Sequence, residues 1–353
     1  MLSLCPSAVS VVSLFFPGAR DYKLPTTTFP VSHPTLPNPR AIEPLPLLWH
    51  SRRVIPIFFF LFGIVIGSFL NVCVIRIPEG VSIVSPASRC PRCGTPIKFY
   101  DNIPVLGWFL VGGKCRNCHL PISPMYPIIE FLTGALFVLT YYRFGITIVA
   151  FKALFFTCLL IILIVTDLRV RLLPDAINWF GFGAGLAFAT RIPPGGFASI
   201  WLRPRHVPAI FTNIVDALLG AALGSLLLLG AATVYRLVRK REGMGMGDVK
   251  MMAMVGTFLG VKGTFLTILI GTLMGSVIGL SVVSFLCLVG WQRKLAERAH
   301  RRGLGGLAAL RWMLASQYQL PLGSFLGIAA LVVVYAVPWL LRGTGLYLLG
   351  VTP

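Results

Sequence analysis

Two carboxylates stand out in a chain that has only 11 Asp+Glu among 353 residues. Asp167 follows one long apolar run, and Asp248 opens another, inside the segment Gly243-Met-Gly-Met-Gly247-Asp248. An acid in or beside hydrocarbon is costly and usually marks function. Two carboxyls held within about 3 Å cannot both ionise, so they share one proton. One member can then draw a proton from water while the other protonates a scissile carbonyl. This is the chemistry of aspartic proteases, and it needs no metal and no nucleophilic side chain. Gly245 and Gly247 remove side chains beside Asp248 and let a substrate strand approach the backbone. Taken singly, each acid has a plainer reading. Asp248 could be the N-cap of a helix begun by a glycine-rich turn, and Asp167 an ordinary helix-end charge.

A second group of residues suits a metal. Cys90-Pro-Arg-Cys93 and Cys115-Arg-Asn-Cys118 are separated by 21 residues, close to zinc-ribbon spacing. Four thiolates complete a closed tetrahedral site, so the expected zinc is structural rather than catalytic. Free thiols are the alternative. Cys73, Cys158 and Cys287 sit singly in apolar runs, where cysteine is normally a small buried hydrophobe.

The elements that must position these groups are membrane helices. Hydrophobic residues make up 56% of the chain and charged ones only 12%, half the share of a soluble domain. The mean hydropathy is +0.83. Apolar runs of spanning length, roughly 20 residues, recur at about 54–75, 125–142, 146–166, 176–191, 212–235, 251–260, 264–289 and 322–341. The sixth is too short to cross alone and must borrow residues 248–250 and those to Lys262. The expected fold is an all-α polytopic membrane protein of about eight transmembrane helices, with a small zinc-ribbon-like cysteine loop at 76–123. The first helix occupies 54–75, the protease core 124–342 and a tail 343–353. Residues 1–53, rich in Pro, Ser and Thr, form an extension that is disordered, an over-extended start, or a targeting segment.

Eight spans place the loops on alternating sides. Loops 76–123, 167–175, 236–250 and 291–318 together hold 19 Lys+Arg, against 7 on the other side beyond the amino-terminal tail. The positive-inside rule therefore puts the cysteine loop and both aspartates in the cytoplasm; Arg52 and Arg53 are discordant. The formal charge of +20 is scattered through these loops and is not a nucleic-acid footprint. Two crossings lie between Asp167 and Asp248, so both return to one face. Among the other polar groups, Glu130 is packing support or part of the site. Asn71 bonds a neighbouring helix or holds substrate backbone. Lys250 acts on the charge of Asp248 or snorkels to the interface, and Asp175, after Pro174, caps the fourth span.

The segment Glu242-Gly-Met-Gly-Met-Gly-Asp-Val-Lys250 resembles the G-x-G-D signature of type IV prepilin leader peptidases, shared more loosely with presenilin-like proteases. Asp167-Leu-Arg-Val-Arg-Leu-Leu-Pro-Asp175 resembles that family's first aspartate segment. Gly67-Ser-Phe-Leu-Asn-Val72, Asp101-Asn-Ile-Pro-Val-Leu-Gly-Trp108, Tyr126-Pro-Ile-Ile-Glu130 and Pro321-Leu-Gly-Ser-Phe325 are similar to its other landmarks, in order across about residues 60–330. The resemblance implies a bacterial inner-membrane enzyme that removes the basic leader of type IV prepilins and type II secretion pseudopilins with Asp167 and Asp248. It also implies N-methylation of the new terminus with S-adenosylmethionine, because the members with a cysteine loop are bifunctional. Two other readings are a proton-coupled transporter, which predicts inverted repeats or broken helices, and a non-catalytic secretion scaffold. The transporter would use the two aspartates to relay protons and the cysteine loop to dock, but the sequence displays neither the repeats nor the breaks; the scaffold would not need two aspartates at matched depth.

Overall fold

A computed structural model describes residues 46–194, 196–198, 207–240, 245–288 and 321–336. Residues up to Trp49 separate from the compact unit His50–Pro353. Most of the amino-terminal extension, the basic loop 291–318 and the tail 343–353 lie outside the described residues.

The described residues are helical apart from turns and two isolated β-bridges: α1 (Pro46–Arg76), α2 (Leu106–Leu110), α3 (Met125–Phe144), α4 (Ile148–Val170), α5 (Asp175–Ala189), α6 (Ala209–Arg239), α7 (Met246–Leu288) and α8 (Leu322–Tyr335). Five helices are long and apolar enough to cross a membrane: Val54–Arg76, Met125–Phe144, Ile148–Val170, Ala209–Arg239 and Met246–Ser281. Apolar residues surround these helices rather than forming one stripe, as expected where both lipid and protein neighbours are apolar. The chain is a multi-pass membrane protein.

α4 is the central helix. It is 67% buried over its span, against 28–39% for the other four. Its continuous run Leu159–Val165 packs against Met251, Met252, Met254, Val255 and Phe258 of α7 and Leu326, Ala330 and Val333 of α8 in a single core. Phe156 and Phe258 stack at 4.5 Å.

Between membrane helices there is no hydrophobic drive to associate, so close backbone approach at small residues sets the contacts. α1 meets α3 in this way. A Cβ on Gly67 would lie 2.7 Å from Glu130 Cα, and one on Gly63 2.8 Å from Gly134 Cα. Gly181 and Gly185 of α5 pack under the side chains of Met254 and Thr257 of α7.

The expected sixth and seventh spans are one element broken at Gly260, whose φ of 64° and ψ of −171° leave the helical region. A Cβ on Gly220 of α6 would touch both Gly256 and Gly260, and one on Gly224 would touch both Met252 and Thr264. Twelve residues of straight helix span about 18 Å, so α7 doubles back at Gly260 around the glycine face of α6.

Several expected boundaries move. α4 runs past residue 166, which puts Asp167 in its last turn rather than after it. The helix carrying Asp248 begins at Met246, two residues before the borrowed stretch 248–250, so Asp248 lies inside the first turn instead of capping it. Asp175 is the first residue of α5 and makes no capping hydrogen bond, because Pro174 occupies the cap position.

At the end of the bundle away from Asp167 and Asp248, the Tyr335 hydroxyl lies 2.8 Å from both Thr140 Oγ1 and Thr157 Oγ1, tying α8 to α3 and α4. Arg143 donates to the Tyr335 carbonyl. Lys152, expected inside the third span, is buried there with Asp216 as counter-charge.

Gly220→Val should therefore lower the stability of the detergent-solubilised protein by about 1–3 kcal/mol through overpacking. Gly183→Ala, whose Cβ would meet nothing within 4 Å, should leave the thermal unfolding midpoint unchanged. Equal midpoints for both variants would refute the α6–α7 contact.

Candidate active site and cysteine cluster

Asp167 and Asp248 come from helices of opposite chain direction. α4 delivers Asp167 at its carboxyl end, and α7 delivers Asp248 at its amino end. The turn between α4 and α5 closes at Arg171, a left-handed residue whose N–H donates to the Asp167 carbonyl at 2.9 Å. Both carboxylates are buried, 6% and 8% exposed.

They meet at the start of α8. A Cβ on Gly323 would lie 2.7 Å from Asp248 Oδ1 and 3.1 Å from Asp167 Oδ2. The two oxygens are therefore no farther apart than those distances combined, within reach of one bridging water. The same Cβ would lie 2.9 Å from Leu173 Cδ1, and a Cβ on Gly247 would lie 2.9 Å from Leu173 Cβ. Leu173 thus wedges between the two glycine backbones and keeps the pair in apolar surroundings.

The hydrogen bonding is unequal. Asp167 Oδ2 accepts from the Ser324 backbone N–H at 2.6 Å and from its hydroxyl at 2.7 Å. Asp248 accepts no hydrogen bond from another described residue; its backbone N–H donates to the Gly245 carbonyl at 3.2 Å. Gly245 leaves open space beside it, since a Cβ there would still be 4.0 Å from Asp248 Oδ2.

The three lesser candidates fall elsewhere. Lys250 Nζ pairs with Asp175 Oδ2 at 2.6 Å, joining α7 to α5 rather than acting on Asp248. Asn71 Nδ2 donates to the Tyr126 carbonyl at 3.1 Å, tying α1 to the first turn of α3. Glu130 Oε2 accepts from the Val105 N–H at 2.6 Å. Val105 has φ 63° and ψ −58°, a conformation costing a β-branched residue about 1–3 kcal/mol. The buried carboxylate offsets that cost and anchors the cysteine loop to the bundle. Leu173, Gly323 and Ser324 were not singled out from the sequence. The only signal for the last two was their place in Pro321-Leu-Gly-Ser-Phe325.

The cysteine loop folds as two copies of one turn. Cys90 N–H donates to Thr95 O and Gly94 N–H to Cys90 O; Cys115 N–H donates to Leu120 O and His119 N–H to Cys115 O. Bridges Arg89–Pro96 and Lys114–Pro121 flank the two turns at matching positions. Arg116 Nε, donating to both carboxylate oxygens of Asp101, joins the second turn to the segment before α2.

All four sulfurs lie within 4.8 Å of one another, with Cys90–Cys118 at 3.8 Å and Cys93–Cys115 at 3.9 Å. A tetrahedral ion with metal–sulfur bonds of about 2.3 Å requires sulfur–sulfur edges of about 3.8 Å, so this donor set fits. The chemistry of the thiols agrees. Hydrogen bonds from the Thr95 side chain and backbone hold Cys93 down to about 6. The Cys118 and Asn117 backbones hold Cys115 below the usual thiol range. A Leu120 backbone hydrogen bond pulls Cys118 down, yet lost hydration and the other three sulfurs push it up to about 11. Four sulfurs this close form a donor set able to hold a metal ion. Cys93→Ser and Cys118→Ser should each lose most of the bound metal found by elemental analysis of the purified protein. Full retention in both would show that these sulfurs are not ligands.

Comparison with known proteins agrees with this geometry. Residues 61–144 match the Bacterial Peptidase A24 N-terminal domain, and residues 154–280 match the Type IV leader peptidase family. A prepilin leader peptidase/N-methyltransferase of Klebsiella pneumoniae is 35% identical over 240 residues, covering 66% of this chain and 95% of the relative. That of Myxococcus xanthus (strain DK1622) is 38% identical over 224 residues, 64% of this chain and 62% of the relative. That of Bacillus subtilis (strain 168) is 37% identical over 221 residues, 62% of this chain and 80% of the relative. No solved structure matches the chain. With two buried aspartates meeting at the matched segments, and a relative covered almost end to end, the chain belongs to the type IV leader peptidase family.

Proposed function

We propose that this enzyme cuts the basic leader from type IV prepilins or type II secretion pseudopilins with Asp167 and Asp248, and then N-methylates the new terminus. The convergence of both carboxylates on Gly323 carries the reading, because a shared proton requires it. The activity accords with relatives that are prepilin leader peptidase/N-methyltransferases, which favour it over a transporter or scaffold.

In the cleavage step one aspartate takes a proton from water as the water oxygen attacks the scissile carbonyl. The other gives its proton to the carbonyl oxygen. The tetrahedral adduct collapses as the leaving amine receives a proton, and the pair returns to its single-proton state. Burial by Leu173 keeps bulk water from screening these charges. S-adenosylmethionine supplies the methyl group for the second reaction.

The crossing helices number eight on this reading: α1, α3, α4, α5, α6, the two arms of α7, and α8. The basic excess of the loops on the Asp167 side orients that end to the cytoplasm in a bacterial inner membrane. The substrate's apolar helix lies among the spans, with its leader junction at the depth of the aspartates. Because the leader and this face are both basic, helix packing and local acids provide recognition. Zinc is the ion for Cys90, Cys93, Cys115 and Cys118, where it holds the two loop turns together. Gly245 leaves room for substrate backbone beside Asp248, whereas Gly247 gives its space to Leu173. Glu130 and Asn71 hold the loop and α3 in place, and Lys250 fixes α5 to α7.

The purified protein in detergent, incubated with a pilin precursor, should release the leader. Asp167→Asn and Asp248→Asn should each slow release by at least ~10²-fold, the range of general acid–base contributions. Unchanged processing in both variants would overturn the aspartyl mechanism.

A further inference from the structure

We propose that Ser324, at the amino end of α8, is the positioning residue of the aspartate pair, holding Asp167 as the base through two hydrogen bonds to one oxygen. The inference rests on the aspartyl reading above and extends it to the division of roles between the two acids.

Ser324 is 1% exposed and donates to Asp167 Oδ2 through its backbone N–H at 2.6 Å and its hydroxyl at 2.7 Å. A carboxylate is acceptor-only, with about four lone-pair sites on its two oxygens. Two donors on Oδ2 fix the carboxylate plane and leave Oδ1 to take the proton from water. Asp248, with no such donor among the described residues, is left as the partner that carries the proton.

The Ser324 hydroxyl has a second acceptor, the Ile164 carbonyl one turn before Asp167, at 3.3 Å. One hydroxyl hydrogen serves one acceptor at a time. It points to Asp167 while that carboxylate is charged, and turns to Ile164 when Asp167 has taken its proton. The side chain therefore follows the charge through the cycle without leaving an unpaired buried group.

The preceding residue is constrained by the same geometry. Gly323 lies against both carboxylates, so a side chain there would fall between Asp248 Oδ1 and Asp167 Oδ2. The chain thus supplies a gap and a donor at successive positions. Tyr335 anchors the far end of the same helix to Thr140 and Thr157, which fixes the depth at which the pair of residues arrives.

The test is steady-state cleavage of a pilin precursor by the full-length protein, with methylation of a pre-cleaved substrate measured alongside. Ser324→Ala removes the hydroxyl and should lower kcat about 10-fold, the effect of one hydrogen bond to a charged group. Ser324→Thr keeps both donors and should hold kcat within about threefold of the parent. KM and methyl transfer should stay within about twofold in both variants, because neither depends on Asp167. Unchanged kcat in Ser324→Ala would overturn the proposal. So would a parallel fall in methyl transfer, which would mark Ser324 as a general packing residue. Cleavage that persists in Asp167→Asn and Asp248→Asn would remove the aspartate pair itself, and the role of Ser324 with it.

Discussion

Two acids that repel each other when charged must be kept side by side in apolar surroundings. At 4 Å and an effective dielectric of 20, two unit charges repel by about 4 kcal/mol, and each buried charge costs several kcal/mol in lost hydration. The pair is stable only with a single proton between its members and with donors for the remaining charge. The site is arranged to meet both conditions. Gly323 admits the two carboxyl groups to a common space, and Ser324 supplies the donors. Leu173 lays apolar surface against both Gly247 and Gly323 beside the pair.

That arrangement needs a scaffold that does not drift, which is demanding in lipid, where apolar side chains gain little by leaving one apolar environment for another. The bundle relies on shape instead. Glycines appear where helices come close: Gly63 and Gly67 against the α3 backbone, Gly181 and Gly185 under the Met254 and Thr257 side chains of α7, and Gly220 and Gly224 in the notch where α7 reverses at Gly260. The reversal sends the second arm of α7 back toward the site end, where Gly271 and Gly275 meet Leu326 and Phe325 of α8. α8 is thus clamped beside the aspartates by packing and at its other end by hydrogen bonds to Tyr335.

The cysteine loop is tied to the same framework at few points, which makes each one matter. The buried carboxylate of Glu130 holds the backbone of Val105, and Trp108 Nε1 donates to the Ile122 carbonyl at 3.1 Å. The Asp101–Arg116 pair then fastens the second cysteine turn to the anchored segment. An acid buried in α3 therefore holds the backbone of the loop.

The sequence by itself determined the classes of group and their order. Asp167 and Asp248 were legible because few acids sit at the ends of apolar runs, and the cysteine pairs because their spacing suits a tetrahedral ion. The helical runs were legible from hydropathy, although their ends shifted by several residues where polar groups continue a helix past the apolar stretch, as at Asp167 and Met246. Only the tertiary structure decided which groups meet. Lys250 could have served Asp248 or the interface, and only the structure shows it reaching across to Asp175. Ser324 is 157 positions from Asp167 and carries no chemistry that singles it out. Its role arises because α8 enters the bundle at that depth and azimuth, and contacts between distant helices leave no local periodic trace for a sequence to display.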